Sequence, residues 1–284
     1  MQNQPLAVDA ITGHRLPDRP DMADLVALAQ KVRVYPVIDS TNEEARRLLS
    51  AGEAEDGMLL VANHQTAGKG RQGHSFYSPA DTGLYLTLIR TDPEVLDPAW
   101  LSRLTLAAAV AASEAIEQCT ATRPLIKWVN DLYLGGKKVT GILTESVGWA
   151  GDRPEAVLIG IGINCSTVHF PEDLLETAGS LLAGSDENSE ETLDRNRLAA
   201  CVWERLSDRT EHLMEEELLE AYRARSLLTG KRVRFVRNGL SYTGIAKDID
   251  EHGRLLVELT SAIIPKSEDQ LLALDSGEVH LTDW

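Results

Sequence analysis

Apolar residues along the chain recur with two different periods, one typical of strands and one typical of helices. Runs that are apolar on both faces, at residues 58–62, 83–89 and 156–163, predict strands buried within a sheet. The Ala- and Leu-rich stretch 100–117 has helical spacing, as does the segment after Ser40. Because the two kinds of segment alternate, the sequence predicts a mixed α/β domain.

Shorter signals add detail to this prediction. The tetrapeptide Ser40-Thr41-Asn42-Glu43 has the form of a capping box, in which Ser40 caps a helix and Glu43 reaches back to it. Gly135-Gly136, between two apolar runs, predicts a tight hairpin turn. Residues 1–20 are expected to be a loosely held arm and residues 170–191 an exposed acidic loop. Further strands are expected at 34–38, 125–129, 132–134 and 138–144, and further helices at 21–30, 193–209 and 211–225.

The pattern changes near residue 230. Residues 231–237 alternate apolar and basic side chains, Asn238-Gly239 is a hairpin signal, and residues 255–259 form another short apolar run. Several short strands within about fifty residues predict a small β barrel. We therefore divide the chain into an arm at 1–30, a first domain at 31–228 and a second at 229–284.

Composition limits what this protein binds. The chain has 284 residues, with 28 Lys+Arg against 44 Asp+Glu and a formal net charge of −16, which argues against binding a nucleic-acid backbone. The start has no apolar signal core, and the longest weakly polar run, 104–112, is too short to span a bilayer. The cysteines Cys119, Cys165 and Cys201 lack metal or redox spacing and indicate a reducing compartment. We expect a cytoplasmic protein that binds neither membrane nor nucleic acid.

The segment Gly68-Lys69-Gly70-Arg71-Gln72-Gly73 has the spacing of a dinucleotide fingerprint without its context. That fold needs a helix directly after the glycines, whereas the following residues include Pro79 and Gly83 and show no helical period. The P-loop pattern also fails, because Lys69 is followed by glycine. The loop still combines backbone N–H groups, two cations and the Phe76 ring, which suits an anion joined to a flat ring. The alternative is a flexible surface turn.

Two further segments place unusual residues at buried strands. Lys127, Asn130 and Asp131 stand at the end of an apolar strand, where polar side chains are costly unless they are paired. They indicate either a ligand site or a structural ion pair between Lys127 and Asp131. Gly160 and Gly162 interrupt another buried strand, which indicates close approach of a ligand or of another backbone, or a bulge.

Together and in this order, these segments resemble the biotin–protein ligases (biotin–[acetyl-CoA-carboxylase] ligases). Each motif is weak alone, but the collinear set is specific and covers roughly residues 32–284. The resemblance implies a catalytic domain of mixed β-sheet with helices, like the lipoate ligases and class II synthetases, and a C-terminal SH3-like barrel. The motifs are 39–42 (Asp-Ser-Thr-Asn), 65–73, 127–132 (Lys-Trp-Val-Asn-Asp-Leu), 138–143 and 160–164.

The resemblance implies an ATP-dependent ligase with two half-reactions. Biotin and ATP, with Mg²⁺, would give biotinyl-5′-AMP and pyrophosphate, and the adenylate would then acylate a lysine of a biotin carboxyl carrier protein. Two anions meet in the first step, so positioning and charge neutralisation would carry catalysis without a covalent enzyme intermediate. The sequence shows no metal-binding cluster of side chains, and Mg²⁺ is expected to enter with ATP, near Asn164.

Residue roles follow from the same resemblance. Asp131 would receive or orient the acceptor amine, and Phe76 would stand for the lid aromatic that packs near adenine. The catalytic residues would be Arg71, Lys138, Asp131 and Lys69. The biotin site would comprise Ser40, Thr41, Asn42, Gln65, Gly68, Arg71, Lys138, Gly141, Ile142 and Leu143. The ATP and adenylate site would comprise Gly68, Lys69, Gly70, Arg71, Phe76, Lys127, Asn130, Lys138, Gly162 and Asn164.

The chain departs from the usual family pattern at three positions. Lys69, His74 and Val129 stand where arginine, a basic residue and proline are usual, which bears on adenylate retention more than on the reaction class. The alternatives are a lipoate or octanoate ligase and a non-catalytic biotin or nucleotide sensor. Since only 38 residues precede Asp39, we expect a form without the DNA-binding domain of some family members. Both a monomer and a homodimer fit the sequence.

Overall fold

A mixed β-sheet forms the centre of the computed structural model, which describes residues 4–15, 22–182, 193–260, 271–275 and 277–282. In the described part of the chain, its seven strands are β1 Val32–Tyr35, β2 Leu59–Ala62, β3 Gly83–Arg90, β4 Leu125–Lys127, β5 Asp131–Leu134, β6 Lys137–Ala150 and β7 Arg153–Asn164. Their order is β1-β2-β3-β7-β6-β5-β4. β1 and β2 are parallel, and the other neighbouring strands are antiparallel.

Helices cover the two faces of this sheet unequally. They are α1 Val8–Arg15, α2 Met22–Gln30, α3 Thr41–Ala51, α4 Leu101–Thr120, α5 Arg195–Glu211 and α6 Glu216–Arg223. The large core lies on the face covered by α4 and α5, and it includes Ile159, Ile161 and Ile163 of β7. On the opposite face, α3 packs Ala45 and Leu48 over only part of the sheet. The predicted mixed α/β fold is confirmed, and part of one sheet face is left for a site.

The register of the central strands places small residues side by side on that second face. Gly162 of β7 lies opposite Gly141 of β6 on one side and Tyr85 of β3 on the other. Gly160 lies in the same way between Leu143 and Thr87. Residues directly opposite in a sheet project to the same face. At these glycines the surface of the second face is therefore formed by backbone atoms.

Residues 4–15 are packed, and the expectation of a loosely held arm is wrong for this segment. Ile11 of α1 is fully buried in the large core. The backbone N–H of Ala7 donates to Asn196 Oδ1 at 3.0 Å, and Asn196 Nδ2 donates to Pro5 O at 3.1 Å. The segment is therefore fixed to α5. Residues 1–3 and 16–20 of the predicted arm lie outside the described residues.

The C-terminal strands form a five-stranded antiparallel sheet within the described residues. They are β8 Arg232–Arg237, β9 Leu240–Ile249, β10 Leu255–Leu259, β11 Leu271–Leu274 and β12 Val279–Leu281, in the order β11-β10-β9-β8-β12. The predicted small β domain is confirmed. Buried Trp128 donates its indole N–H to Gly253 O at 3.0 Å, which attaches this domain to the first. The exact boundaries of 31–228 and 229–284 remain predictions. No described helix combines the length and the apolar character needed to cross a membrane.

Candidate active site

A small cleft lies on the sheet face that α3 covers only in part. Its floor is made by Gly141, Gly160 and Gly162. A Cβ atom at Gly160 would collide with the Asn42 side chain, and one at Gly162 would collide with the Phe76 ring, so only glycine fits at both positions. The other lining residues are Ser40, Thr41, Asn42, Gln65, Lys69, Phe76, Leu86, Leu143 and Ile161.

The amide of Asn42 is held in one orientation at the α3 end of the cleft. Its Oδ1 accepts the Thr87 hydroxyl at 2.6 Å, and its Nδ2 donates to Glu145 Oε2 at 2.7 Å. Glu145 is fixed in turn by an ion pair with Arg46 at 2.8 Å. Sequence reasoning identified Asn42 but missed Thr87 and Glu145, which orient it.

The start of α3 is capped differently from the sequence prediction. Ser40 is the N-cap residue, but its side chain makes no capping hydrogen bond. Instead, Gln65 Oε1 accepts from the Thr41 backbone N–H at 2.9 Å and from the Thr41 hydroxyl at 3.1 Å. Glu43, the other half of the predicted capping box, pairs with Lys69 at 2.5 Å. The predicted capping box is therefore wrong: the Ser40 N–H donates to Asp39 Oδ1 at 2.8 Å, and Gln65, from another segment, accepts the N–H of Thr41.

The glycine loop folds back on itself beside the cleft. The Phe76 N–H donates to Gly68 O at 2.9 Å, and the Gly70 N–H donates to His74 O at 2.7 Å. This places the Phe76 ring on Gly141 and Gly162, over the floor of the cleft. The loop therefore supplies one wall of this cleft, which includes the cation Lys69.

Arg71 extends from the glycine loop to the hairpin between β4 and β5. Its Nη1 donates to Asn130 Oδ1 at 3.2 Å, and Asn130 Nδ2 donates to Ile142 O at 2.8 Å. Arg71 lines a second cleft and not the first. The other lining residues are Ser102, Thr105, Val129, Thr144, His252, Gly253, Arg254 and Asp275, so the C-terminal domain forms part of this wall.

Two lysines stand on the β4–β6 side of the first cleft. Lys138 Nζ lies 2.8 Å from Asp131 Oδ1, and the Lys138 side chain passes next to Gly141. Lys127 Nζ lies over the Tyr133 ring at 5.5 Å from its centroid. Burial lowers the pKa of Lys127 and raises that of Tyr133 to about 12. Lys138 is therefore the lysine next to the cleft floor, whereas Lys127 supports the hairpin.

Two residues predicted for the site are placed otherwise by the structure. The Ile142 side chain is buried in the large core on the opposite sheet face, so it does not line the cleft as expected. Asn164 is also buried, with Nδ2 donating to Gly179 O at 3.0 Å. Its Oδ1 has no hydrogen-bond partner in the described part of the chain.

The segment at 177–182 is a further element that sequence reasoning missed. It returns to the sheet, where the Lys138 N–H donates to Thr177 O at 2.8 Å and the Gly179 N–H donates to Lys138 O at 2.9 Å. Ser180 and Leu181 are buried, so this part of the predicted exposed loop is wrong. Residues 183–191 of that loop lie outside the described residues. The segment fixes the backbone that carries Lys138.

Comparison with known protein families identifies the class of this protein. Residues 34–164 match the Biotin/lipoate A/B protein ligase family, and residues 228–281 match the Biotin protein ligase C terminal domain. The glycine loop, the hairpin and the floor strands all fall within the first match, and the five described strands of the C-terminal sheet fall within the second.

Comparison with individual proteins shows which kind of ligase this chain is similar to. The chain is 34% identical over 238 residues to the "Bifunctional ligase/repressor BirA" of Salmonella typhimurium, covering 82% of this chain and 71% of that one. It is 33% identical over 241 residues to the "Biotin--[acetyl-CoA-carboxylase] ligase" of Mycobacterium tuberculosis, covering 83% and 86%. A solved structure of the biotin protein ligase from Aquifex aeolicus, in complex with biotin and ATP, superimposes with a TM-score of 0.72 at 26% identity, covering 88% and 99%. The chain belongs to the biotin protein ligase family.

Proposed function

We propose that this enzyme, a biotin ligase that uses ATP, transfers biotin through biotinyl-5′-AMP to one lysine of a biotin carboxyl carrier protein. The relatives support the ligase activity, and the site supports the order of groups along the bound molecule. The observation that carries the proposal is the glycine-floored cleft, which has an oriented amide at one end and a lysine beside its floor.

The order of side chains along this cleft suits the chemistry of biotin. Asn42 lies over Gly160, the Phe76 ring lies over Gly162, and Lys138 passes next to Gly141. A polar ring system, an apolar chain and a carboxylate would meet these three regions in turn. Because a backbone floor carries no side chains of its own, it leaves room for flat groups to lie close to the sheet.

The first half-reaction joins a carboxylate to the α-phosphorus of ATP, so the site must reduce repulsion between two anions. Lys138 and Arg71 supply positive charge from two different segments, the hairpin and the glycine loop. Asp131 holds Lys138 at 2.8 Å, and Asn130 holds Arg71 at 3.2 Å, so both cations are oriented before the substrates bind. Preorganised charge of this kind lowers the barrier without reorganisation during the reaction.

The second half-reaction requires the acceptor lysine in its neutral, unprotonated form. We assign Asp131 to accept or orient the acceptor amine as it attacks the adenylate carbonyl. The described residues contain no group of three or more His, Cys, Asp or Glu that could hold a metal ion. Mg²⁺ is proposed to enter with ATP as part of the substrate.

The test is incubation of the full chain with ATP, biotin and a purified biotin carboxyl carrier domain, followed by intact-mass analysis of the acceptor. We expect one biotinyl group on the acceptor lysine, and none on an acceptor in which that lysine is replaced by arginine. Lipoate in place of biotin is the substrate control. A preference for lipoate, or biotin-dependent binding of ATP without pyrophosphate release, would contradict the proposal.

A further inference from the structure

The side-chain amide of Asn42 is oriented by a carboxylate that lies outside the glycine-floored cleft. Asn42 lines the cleft and is only 3% exposed, whereas Glu145 is not among the lining residues. Asn42 Nδ2 donates to Glu145 Oε2 at 2.7 Å. An ionised carboxylate accepts hydrogen bonds and cannot donate them. The amide atom that faces Glu145 must therefore be the nitrogen.

The other partner of this amide does not make the same distinction. The Thr87 hydroxyl lies 2.6 Å from Asn42 Oδ1 and 2.8 Å from the Thr41 hydroxyl. A hydroxyl both donates and accepts. If the amide were turned over, Thr87 could accept from its nitrogen and donate to Thr41 instead. Of the two partners, Glu145 alone therefore selects one orientation of the amide.

Glu145, on β6, is itself held by the neighbouring helix α3. Arg46 Nη2 lies 2.8 Å from Glu145 Oε1, and Arg46 Nε lies 3.5 Å from Glu43 Oε1. Arg46 thus has a carboxylate on each side. Its ion pair occupies one oxygen of Glu145, and the other oxygen accepts from Asn42. The carboxylate is fixed before any substrate arrives.

We propose that Glu145 is a positioning residue for substrate recognition, which makes Asn42 a hydrogen-bond donor toward the ring of biotin. An amide nitrogen carries two hydrogens, and Glu145 accepts one of them. The second is offered to the ligand at the polar end of the cleft, where the amide lies over Gly160. The substrate group that meets it must be an acceptor, and the ureido oxygen of biotin is one. This inference rests on the proposed function, because it takes biotin as the ligand.

The role of Glu145 is exerted through Asn42 and not through contact with the substrate. In Glu145→Gln the new side chain could donate as well as accept, so either orientation of the Asn42 amide would be satisfied. The amide would then present its donor to biotin only part of the time. The reacting carboxylate is proposed to lie at the other end of the cleft, near Lys138. The substitution should therefore weaken biotin binding and leave the chemical step intact.

The experiment measures the Kd for biotin by isothermal titration calorimetry, and kcat from biotin-dependent pyrophosphate release at saturating biotin. For Glu145→Gln we expect the Kd to rise about tenfold, the loss of one oriented hydrogen bond, with kcat within about twofold of wild type. Glu44→Gln is the matched control. Glu44 also pairs with an arginine of α3, Arg47, at 2.6 Å, and it does not line the cleft. Its Kd should equal that of the wild type.

A double-mutant cycle separates positioning from a structural role. If Glu145 acts through Asn42, then Glu145→Gln should cause no further rise in Kd when Asn42 is already alanine. A structural role would add the same cost in both backgrounds. Arg46→Gln is a second single variant, which loosens Glu145 without altering its carboxylate. It should raise the Kd in the same direction by a smaller factor, and it decides the question if Glu145→Gln does not fold.

Three results would overturn the inference. These are an unchanged Kd in Glu145→Gln or, where that variant does not fold, in Arg46→Gln; a fall in kcat with an unchanged Kd; and an equal further rise in Kd in the Asn42→Ala background. Failure of the wild-type protein to bind biotin is a different result. It would contradict the proposed function itself, and this inference with it.

Discussion

The side-chain carbonyl of Gln65 accepts both the backbone N–H of Thr41, at 2.9 Å, and the Thr41 hydroxyl, at 3.1 Å. Gln65 follows β2, and Thr41 is the first residue of α3, so one acceptor joins two separate segments. Both residues line the glycine-floored cleft. This contact therefore sets the distance between the two segments at the polar end of the site.

Removal of this acceptor should destabilise the protein more than removal of the residue that the sequence marks as the cap. We expect Gln65→Met to lower the free energy of unfolding by about 1–3 kcal/mol, because a buried donor loses its partner. Ser40→Ala should cost less than about 0.5 kcal/mol, since its side chain makes no capping bond. Urea denaturation of both variants gives the comparison. A larger cost for Ser40→Ala would mean that the serine caps the helix in solution.

Loss of the Arg71 guanidinium should weaken the first half-reaction. Arg71→Ala removes a cation oriented by Asn130, so we expect biotin-dependent pyrophosphate release to fall by about 10²-fold. The half-life of the enzyme-bound adenylate should shorten as well. Arg33→Ala is the control, because Arg33 forms an ion pair with Glu53 at 3.3 Å and lines neither cleft. Equal rates for wild type and Arg71→Ala, with an equal adenylate half-life, would refute the assigned role.

A single methyl group on the cleft floor should interfere with biotin binding. In Gly162→Ala the new Cβ atom would occupy the position of the Phe76 ring, so the ring or the substrate must move. We expect the KM for biotin to rise by about tenfold or more, since each 1.4 kcal/mol of lost binding is tenfold. Gly13→Ala is the matched control, because no heavy atom lies within 4 Å of the added Cβ atom. An unchanged KM in Gly162→Ala would place biotin elsewhere.

The attachment of the C-terminal domain should weaken when the indole N–H of Trp128 is removed. Trp128→Phe removes the hydrogen bond to Gly253 O and leaves that carbonyl unpaired in a buried position, so we expect a loss of about 1–3 kcal/mol of stability. Limited proteolysis should cut faster between the two domains. Trp149→Phe is the control, because that ring is 59% exposed. If both variants behave alike, the hydrogen bond does not hold the domains together.

Much of the fold could be predicted because a buried strand has a recognisable sequence pattern, a short run that is apolar on both faces. The runs at 83–89 and 156–163 correspond to β3 and β7, and the paired glycines of β7 fall on the cleft floor. In these cases the pattern of one segment determines its place in the sheet. The same holds for the glycine loop, whose backbone approach to its neighbours needs residues without side chains.

The rest of the site depends on contacts between segments that no local pattern records. Thr87 and Glu145 orient Asn42 across 45 and 103 residues of sequence, and their partnership exists only once β3, β6 and α3 are in register. The segment at 177–182 pairs with Lys138 through backbone atoms, which every residue has. Backbone pairing leaves no pattern in the side chains, so the sequence predicted a loop here. Ile142 was assigned to the wrong face because alternation along β6 sends every second side chain into the core.

The Phe76 ring covers Gly141 and Gly162. That part of the floor is therefore shielded from water by the protein itself. A substrate that lies on it replaces one apolar contact with another, so little water is released there when it binds. The decrease in heat capacity on binding is then smaller than the apolar area of the ligand alone would give. Affinity must come largely from the groups at the two ends of the cleft, which makes this site selective for the length of the molecule between them.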